Sequence, residues 1–195
     1  MVDTMVPHQI DHPQPFANVT VTAYTGTFGG DIGIKAPENR LAMRFSHPDG
    51  VRVTWEVDNS YGCAPYGTRH DGVAILASRG ECSFLEKLAH AREAGAVGVV
   101  VINYDDQIVS PSAPADDVLR AGDFSDVAIV VLSRADGKRV ADLADSIGDG
   151  EEQLMVMVDT GTSEEGSTAQ KESGETSSRI LYLNGHPLLN TKLLV

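Results

Sequence analysis

Hydrophobic and polar positions alternate from Asn18 to Thr27, with Val19, Val21 and Ala23 set against Thr20 and Thr22. That period of two predicts a half-buried strand, which Gly29-Gly30 ends. Leu41–Phe45 and Val51–Val57 read as two further strands. Pro48-Asp49-Gly50 between them is turn chemistry, so the pair reads as a hairpin. In the second strand Val51, Val53, Trp55 and Val57 share one face, and Arg52, Thr54 and Glu56 share the other.

The pattern then changes. Val73–Ala77 is a continuous apolar run of strand length, and Ser83 with Glu86 three residues on is a capping box at a helix start. Leu85, Leu88, Ala89 and Ala91 fall on one helical face, with Lys87, Arg92 and Glu93 mostly elsewhere, and Gly95 stands at the left-handed stop. Val97–Asn103 is a second buried-strand run, so residues 72–103 predict a right-handed βαβ unit. A second version follows: strand Val127–Leu132, a helix capped by Ser133 with Asp136 and running through Val140, Leu143, Ala144 and Ile147, then strand Leu154–Val158. Asp105–Phe124 between the units reads as a long loop with Pro111 and Pro114, functional or mobile in a compact domain.

The ends differ in character. Residues 1–16, with Pro7, His8, His12, Pro13 and Pro15, read as an irregular lead-in. Thr160–Arg179 holds three Gly, five Ser, four Thr and four Glu with no Val, Ile, Leu, Met or aromatic residue, and predicts a disordered linker. Residues 180–195 regain strand character in Ile180-Leu181-Tyr182-Leu183 and can return to pair with the domain at 17–159.

Composition narrows the partners. With 28 acidic and 15 basic residues in 195, the formal charge is -13, which disfavours nucleic acid and anionic membranes. Residues 141–179 hold ten acids against Lys171 and Arg179, which is -8 of that total. The longest apolar runs, Val97–Ile102 and Val127–Leu132, are far too short to span a membrane. Met1-Val2-Asp3-Thr4-Met5 lacks the order of a signal peptide, which leaves a cytosolic protein or a segment whose targeting sequence has been removed. Two cysteines without C-x-x-C spacing, together with the sequon Asn18-Val19-Thr20, favour the second and make Asn18 a candidate glycosylation site.

The stretch Arg79-Gly80-Glu81-Cys82-Ser83-Phe84, then Lys87 and Ala94-Gly95-Ala96, resembles the signature of the protease-associated (PA) domain. Gly62-Cys63-Ala64-Pro65 is similar to that family's upstream cysteine, and Val127–Ser133 to its third landmark. The resemblance spans about residues 60–150. It implies a mixed α/β fold, with sheets forming an open, barrel- or sandwich-like core and helices on its flanks. It also implies a structural Cys63–Cys82 disulfide, closing a loop that such a bond stabilises by roughly 3 kcal/mol; a reactive thiol ahead of a helix N-terminus is the other reading of Cys82.

What the chain binds follows from the same stretch. Arg79, with Gly80, Glu81 and Phe84, is the candidate binding site, because a guanidinium offers planar paired donors to a peptide backbone or carboxylate. A solvated turn arginine is the plainer reading. Asp105, Asp106, Asp116 and Asp117 can frame a shallow groove beside it, a solvated loop being the plainer reading of them. No Gly-x-Ser-x-Gly, His-Glu-x-x-His, Gly-x-x-x-x-Gly-Lys or Gly-x-Gly-x-x-Gly motif occurs. His8 and His12 lack a helix to align them for a metal, and His47, His70, His90 and His186 are scattered.

The expectation is therefore a non-catalytic module with no cofactor and no metal. Its partner is a polypeptide or glycoprotein substrate, or a neighbouring domain of its host. Residues 181–190 are similar to the PA segment of fungal ER degradation-enhancing α-mannosidase-like (EDEM) proteins, which implies an ER-lumen setting and a mannose-trimming host. Other hosts of such domains are proteases and vacuolar sorting receptors. A small stand-alone hydrolase or thiol enzyme is the alternative from a different class.

Overall fold

The computed structural model describes residues 18–32, 37–47, 49–147, 152–159 and 178–187. The lead-in 1–16 with His8 and His12, and most of the linker expected at 160–179, lie outside the described residues. The elements in chain order are β1 (Asn18–Thr25), α1 (Arg40–Phe45), β2 (Val51–Thr54), β3 (Ala74–Ser78), α2 (Phe84–Glu93), β4 (Gly98–Ile102), α3 (Ala115–Ala121), β5 (Ala128–Leu132), α4 (Arg134–Ile147), β6 (Glu152–Asp159) and β7 (Ser178–Pro187).

The continuous apolar runs become the centre of the sheet. β3, β4 and β5 are parallel, with Ile75 opposite Val99 and Val99 opposite Ile129, and they are buried on both faces. This is why alternation is absent from their sequence. One face, with Ala74, Leu76, Val100, Ala128, Val130 and Leu132, joins Val21, Val53 and Val156 in a core that α1 and α4 complete with Phe45, Val140 and Leu143. The other face, with Ile75, Ala77, Val99, Val101, Ile129 and Val131, packs against Leu88 and Ala91 of α2. β1 runs antiparallel to β5, β2 runs parallel to β3, and β6 runs antiparallel to β2. β7 pairs antiparallel with both β6 and β1, so the strand order β1-β5-β4-β3-β2-β6-β7 closes into a barrel. The fold is thus the mixed α/β one expected, its barrel closed by β7, which starts at Ser178.

Three local expectations are corrected. Leu41–Phe45 is not a strand but most of helix α1: the Asn39 Oδ1 accepts from the Ala42 amide at 3.0 Å, and Leu41, Ala42 and Phe45 present one buried helical face. A short apolar run fits either period, and the Asn cap decides it here. No hairpin forms with β2, which ends at Thr54 and finds its partners in β3 and β6. Beyond it Trp55 is 43% and Val57 83% exposed, the latter in a 3₁₀ turn over Val57–Asn59. The segment Asp105–Phe124 contains α3, which starts after Pro114, carries Asp116 and Asp117 in its first turn, and stops at Gly122 with φ 96°. Acids at a helix N-terminus and Gly at its end are the signals that make this stretch a helix.

The α4–β4 contact is close enough to test. Gly137 lies in α4, and a Cβ there would fall inside the Ile102 side chain. An Ala normally improves a helix interior by about 1 kcal/mol over Gly, whereas overpacking costs about 1–3 kcal/mol. Gly137→Ala is therefore expected to lower stability by about 1 kcal/mol, read as a reduced urea midpoint at unchanged m value.

Candidate functional site

Beyond β3 the chain makes the tight turn Arg79-Gly80-Glu81-Cys82. The Arg79 amide donates to Ile102 O at 2.9 Å, prolonging the β3–β4 pairing by one bond. Gly80 takes φ 118° and Glu81 φ 63°, and the Cys82 amide closes back on Gly80 O at 2.8 Å. A left-handed glutamate is uncommon and persists where its surroundings enforce it. Glu81 is the one described non-glycine residue with such a φ.

Two devices enforce it. The first is the disulfide Cys63–Cys82, with Cα atoms 5.7 Å apart, which ties the turn to the Gly62–Pro65 loop. The second is Lys87, 1% exposed, whose ammonium donates to Tyr61 O at 2.5 Å and Gly80 O at 2.8 Å and lies 3.4 Å from both sulfurs. Burial pulls the Lys87 pKa down, and the charges of Glu81 and Glu86 offset this in part. Lys87 lies on the buried face of α2 with Leu88 and Ala91, partly buried Phe84 continuing the stripe, and not off the apolar face as the pattern of Leu85, Leu88, Ala89 and Ala91 set it. The (i, i+3, i+4, i+7) spacing carried that signal. The helix begins as expected: Ser83 and Glu86 form a reciprocal capping box, and the Ser83 amide and hydroxyl hold the Glu86 pKa below its ordinary value.

Held this way, the turn presents Arg79. Its guanidinium lies 4.7 Å from the Tyr104 ring centroid and 5.8 Å from that of Phe84, and Nη1 donates to Asn103 Oδ1 at 2.9 Å. Asn103 is 2% exposed and is fixed in turn. Its Oδ1 also accepts from the Tyr104 amide at 2.9 Å, and its Nδ2 donates to Asp105 Oδ1 at 2.8 Å and to Gln107 O at 3.1 Å. Among the described residues no carboxylate pairs with Arg79. Tyr104 is 61% exposed and Tyr61, beside Gly80, is exposed as well. The structure thus brings Arg79, Gly80, Glu81 and Phe84 together around one turn and adds Asn103, Tyr104 and Tyr61, which the sequence pattern did not single out.

The expected aspartate groove does not form. Asp105 and Asp106 instead support the start of α4, where Arg134 N donates to Asp105 O and Ala135 N to Asp106 Oδ1 at 2.7 Å, while Asp117 pairs with Arg120. The Asp106 carboxylate takes a free amide of the helix N-terminus, while Asp105 contributes its backbone carbonyl and keeps its carboxylate for Asn103 Nδ2 and the Gln107 amide. A cleft of about 570 Å³ opens elsewhere, lined by Asp31, Glu38, Arg40, Arg44, Ser125 and Asp126 among others. No group of three or more His, Cys, Asp or Glu side chains suited to a metal occurs among the described residues, and no described helix is long and apolar enough to cross a membrane. Asn18 opens β1. His90 turns its Nδ1 toward Gly62 O at 3.2 Å, and His47 lies 3.3 Å from Asp49.

Next to the disulfide loop, His70 Nε2 meets Glu56 Oε1 at 2.6 Å, Thr68 Oγ1 donates to the same oxygen at 3.1 Å, and Tyr66 packs edge-on against His70. The Tyr66 hydroxyl is buried without a hydrogen-bond partner. Burial, with a smaller contribution from the Glu56 charge, pushes its pKa from 10.0 to about 12.

The family model of the PA domain matches residues 50–140. No curated protein matches the chain. Among solved structures, an aminopeptidase from Aneurinibacillus sp. strain AM-1 is similar at 18% identity and TM-score 0.39, over 87% of this chain and 34% of that one. A zinc aminopeptidase from Bacillus subtilis is similar at 13% identity and TM-score 0.38, over 91% of this chain and 32% of that one. The chain thus spans about a third of the length of these enzymes.

The orphaned Tyr66 hydroxyl generates a prediction inside the matched segment. Removing a buried, unpaired hydroxyl relieves a desolvation cost, so Tyr66→Phe is expected to stabilise by about 1 kcal/mol at pH 8. Between pH 10.0 and about 12 the unfolded tyrosine ionises while the folded one stays protonated, so this group draws stability down as pH rises. The variant lacks that loss, and its advantage should widen by about 1 kcal/mol at pH 11, read from urea midpoints at the two pH values. The two cysteines, the buried lysine and the Arg79 turn all fall within residues 50–140, the segment that the PA-domain family model matches.

Proposed function

We propose that the chain is a non-catalytic, polypeptide-binding module of a larger secretory-pathway protein, and that Arg79 is the centre of its contact surface. The observation that carries this reading is a guanidinium stacked between Phe84 and exposed Tyr104, fixed by buried Asn103, and unpaired with any described carboxylate. Arginine and tyrosine are the residues that dominate binding energy at protein interfaces. A pre-ordered guanidinium loses little entropy when it meets a backbone carbonyl or carboxylate. The Gly80–Glu81 turn lets a partner chain approach the backbone closely.

The Cys63–Cys82 disulfide supports an oxidising compartment, and in this reading Asn18 carries a glycan. The finer form of the proposal is an ER setting, with a fungal EDEM-like mannosidase as host and an unfolded glycoprotein or a neighbouring domain as partner. Its support is the likeness of residues 181–190 to such hosts.

The test is binding of a fluorescent unfolded high-mannose glycopeptide, and of the same peptide without its glycan, measured by anisotropy for wild type and Arg79→Ala. Wild type is expected to bind both, because the contact is to the polypeptide. The variant should bind at least tenfold more weakly while its melting temperature stays within about 2 °C, since Arg79 is only half-buried and Asn103 Oδ1 keeps the Tyr104 amide as a donor without it. Equal affinity of the two proteins removes Arg79 from the site, and no binding by wild type removes the unfolded-polypeptide partner.

A further inference from the structure

Lys87 is a buried cation with no anionic partner in contact. Its Nζ faces two backbone carbonyls, Tyr61 O and Gly80 O, and the two sulfurs of the disulfide at 3.4 Å each. The charged groups nearest to it are Glu81 and Glu86, both exposed, and Glu86 is already engaged by Ser83. His90, the next titratable group on α2, turns its Nδ1 to Gly62 O. An ammonium held by dipoles and neutral sulfur alone is poorly compensated for its lost hydration.

Reduction of the disulfide would alter that balance. A thiolate formed at either sulfur lies within contact distance of the ammonium and supplies the missing counter-charge. Cys82 has a second advantage, because it immediately precedes the Ser83 cap of ten-residue α2, whose free amides favour negative charge. The oxidised protein therefore carries an electrostatic deficit that the reduced protein does not.

From this geometry we infer that Cys63–Cys82 is a thiol–disulfide exchange site for a dithiol reductant, with Cys82 as the leaving thiolate. A thiolate of the reductant attacks Cys63 Sγ, a new sulfur–sulfur bond forms there, and the Cys63–Cys82 bond breaks with its electron pair passing to Cys82 Sγ beside Lys87. The second thiol of the reductant then attacks its own sulfur in the mixed disulfide and releases the Cys63 thiolate. Net, the dithiol is oxidised to a disulfide by two electrons, the protein gains two thiol groups, and the two protons come from the reductant. A lower leaving-group pKa speeds the first step. Both cysteines are partly exposed, in reach of a partner.

The first test uses the reduced wild-type chain, with the iodoacetamide alkylation rate of each cysteine followed against pH by peptide mass. Cys82 is expected to inflect well below the ordinary value of about 8.5. An inflection at or above that value overturns the inference. The second test equilibrates oxidised protein in dithiothreitol buffers, comparing wild type with Lys87→Met. The variant is expected to favour the disulfide at least tenfold more than wild type, a shift of about 30 mV for a two-electron couple. Equal equilibria overturn the role of Lys87, and should the variant fail to fold, the wild-type alkylation profile decides alone.

Discussion

One ammonium organises the working end of this domain. Lys87 joins three pieces of chain that are distant in sequence: the Tyr61 loop, the Gly80 turn and helix α2. Burying a charge is ordinarily unfavourable, and here the unfavourable term is offset only in part, by charge-assisted hydrogen bonds to Tyr61 O and Gly80 O. The disulfide beside it draws Cys63 and the loop that supplies Tyr61 O toward the turn. Covalent bond and cation thus fix the same junction, the first by limiting the unfolded chain and the second by satisfying the folded one.

The two-sided sheet sets what can be varied. β3, β4 and β5 have no solvent face, so their side chains are committed to packing against the barrel interior or against α2. Any recognition chemistry must leave the sheet by its ends. Gly137 shows how little slack remains between layers, since α4 sits on Ile102 at a distance that admits no Cβ.

These constraints explain what the sequence made legible. Strands buried on both faces print as unbroken apolar runs, and a capped helix between them prints as Ser83 with Glu86, so the βαβ unit was readable from residue types alone. The pairing of Cys63 with Cys82 came from the family signature and not from any local rule. The readings that failed did so where local signals compete. Leu41–Phe45 is apolar enough for a strand, and only the Asn39 cap turns it into a helix. The hairpin failed because Val51–Thr54 finds its partners in β3 and in β6, about a hundred residues on, and no turn chemistry announces pairing over such a distance. Lys87 was legible as a helical residue, but its charge argued for solvent while its spacing argued for the core, and spacing prevailed because four acceptors awaited it. The aspartates of 105–117 carried the opposite ambiguity. Acidity suggested a surface function, but the Asp106 carboxylate serves the N-terminus of α4 and that of Asp105 holds Asn103.

The location of Arg79 follows from topology. Parallel neighbours end together, so the residues after β3 and β4 emerge side by side at the carboxyl ends of their strands, where ligands of open α/β sheets are usually received. Arg79 comes from the end of β3 and Asn103 and Tyr104 from the end of β4, which puts a guanidinium, its hydrogen-bond acceptor and its stacking ring within one contact shell without any long excursion of chain. The helix leaving β3 must first reverse direction, and a reversal that short forces Gly80 and Glu81 into left-handed conformations. Local strain at Glu81 is therefore the consequence of placing Arg79 at the sheet's end and starting α2 five residues later. Relieving it would lengthen the turn, separate Cys82 from Cys63, and move Gly80 O away from Lys87. The strained turn, the buried cation and the disulfide are one structural solution to presenting an arginine at the mouth of a parallel sheet.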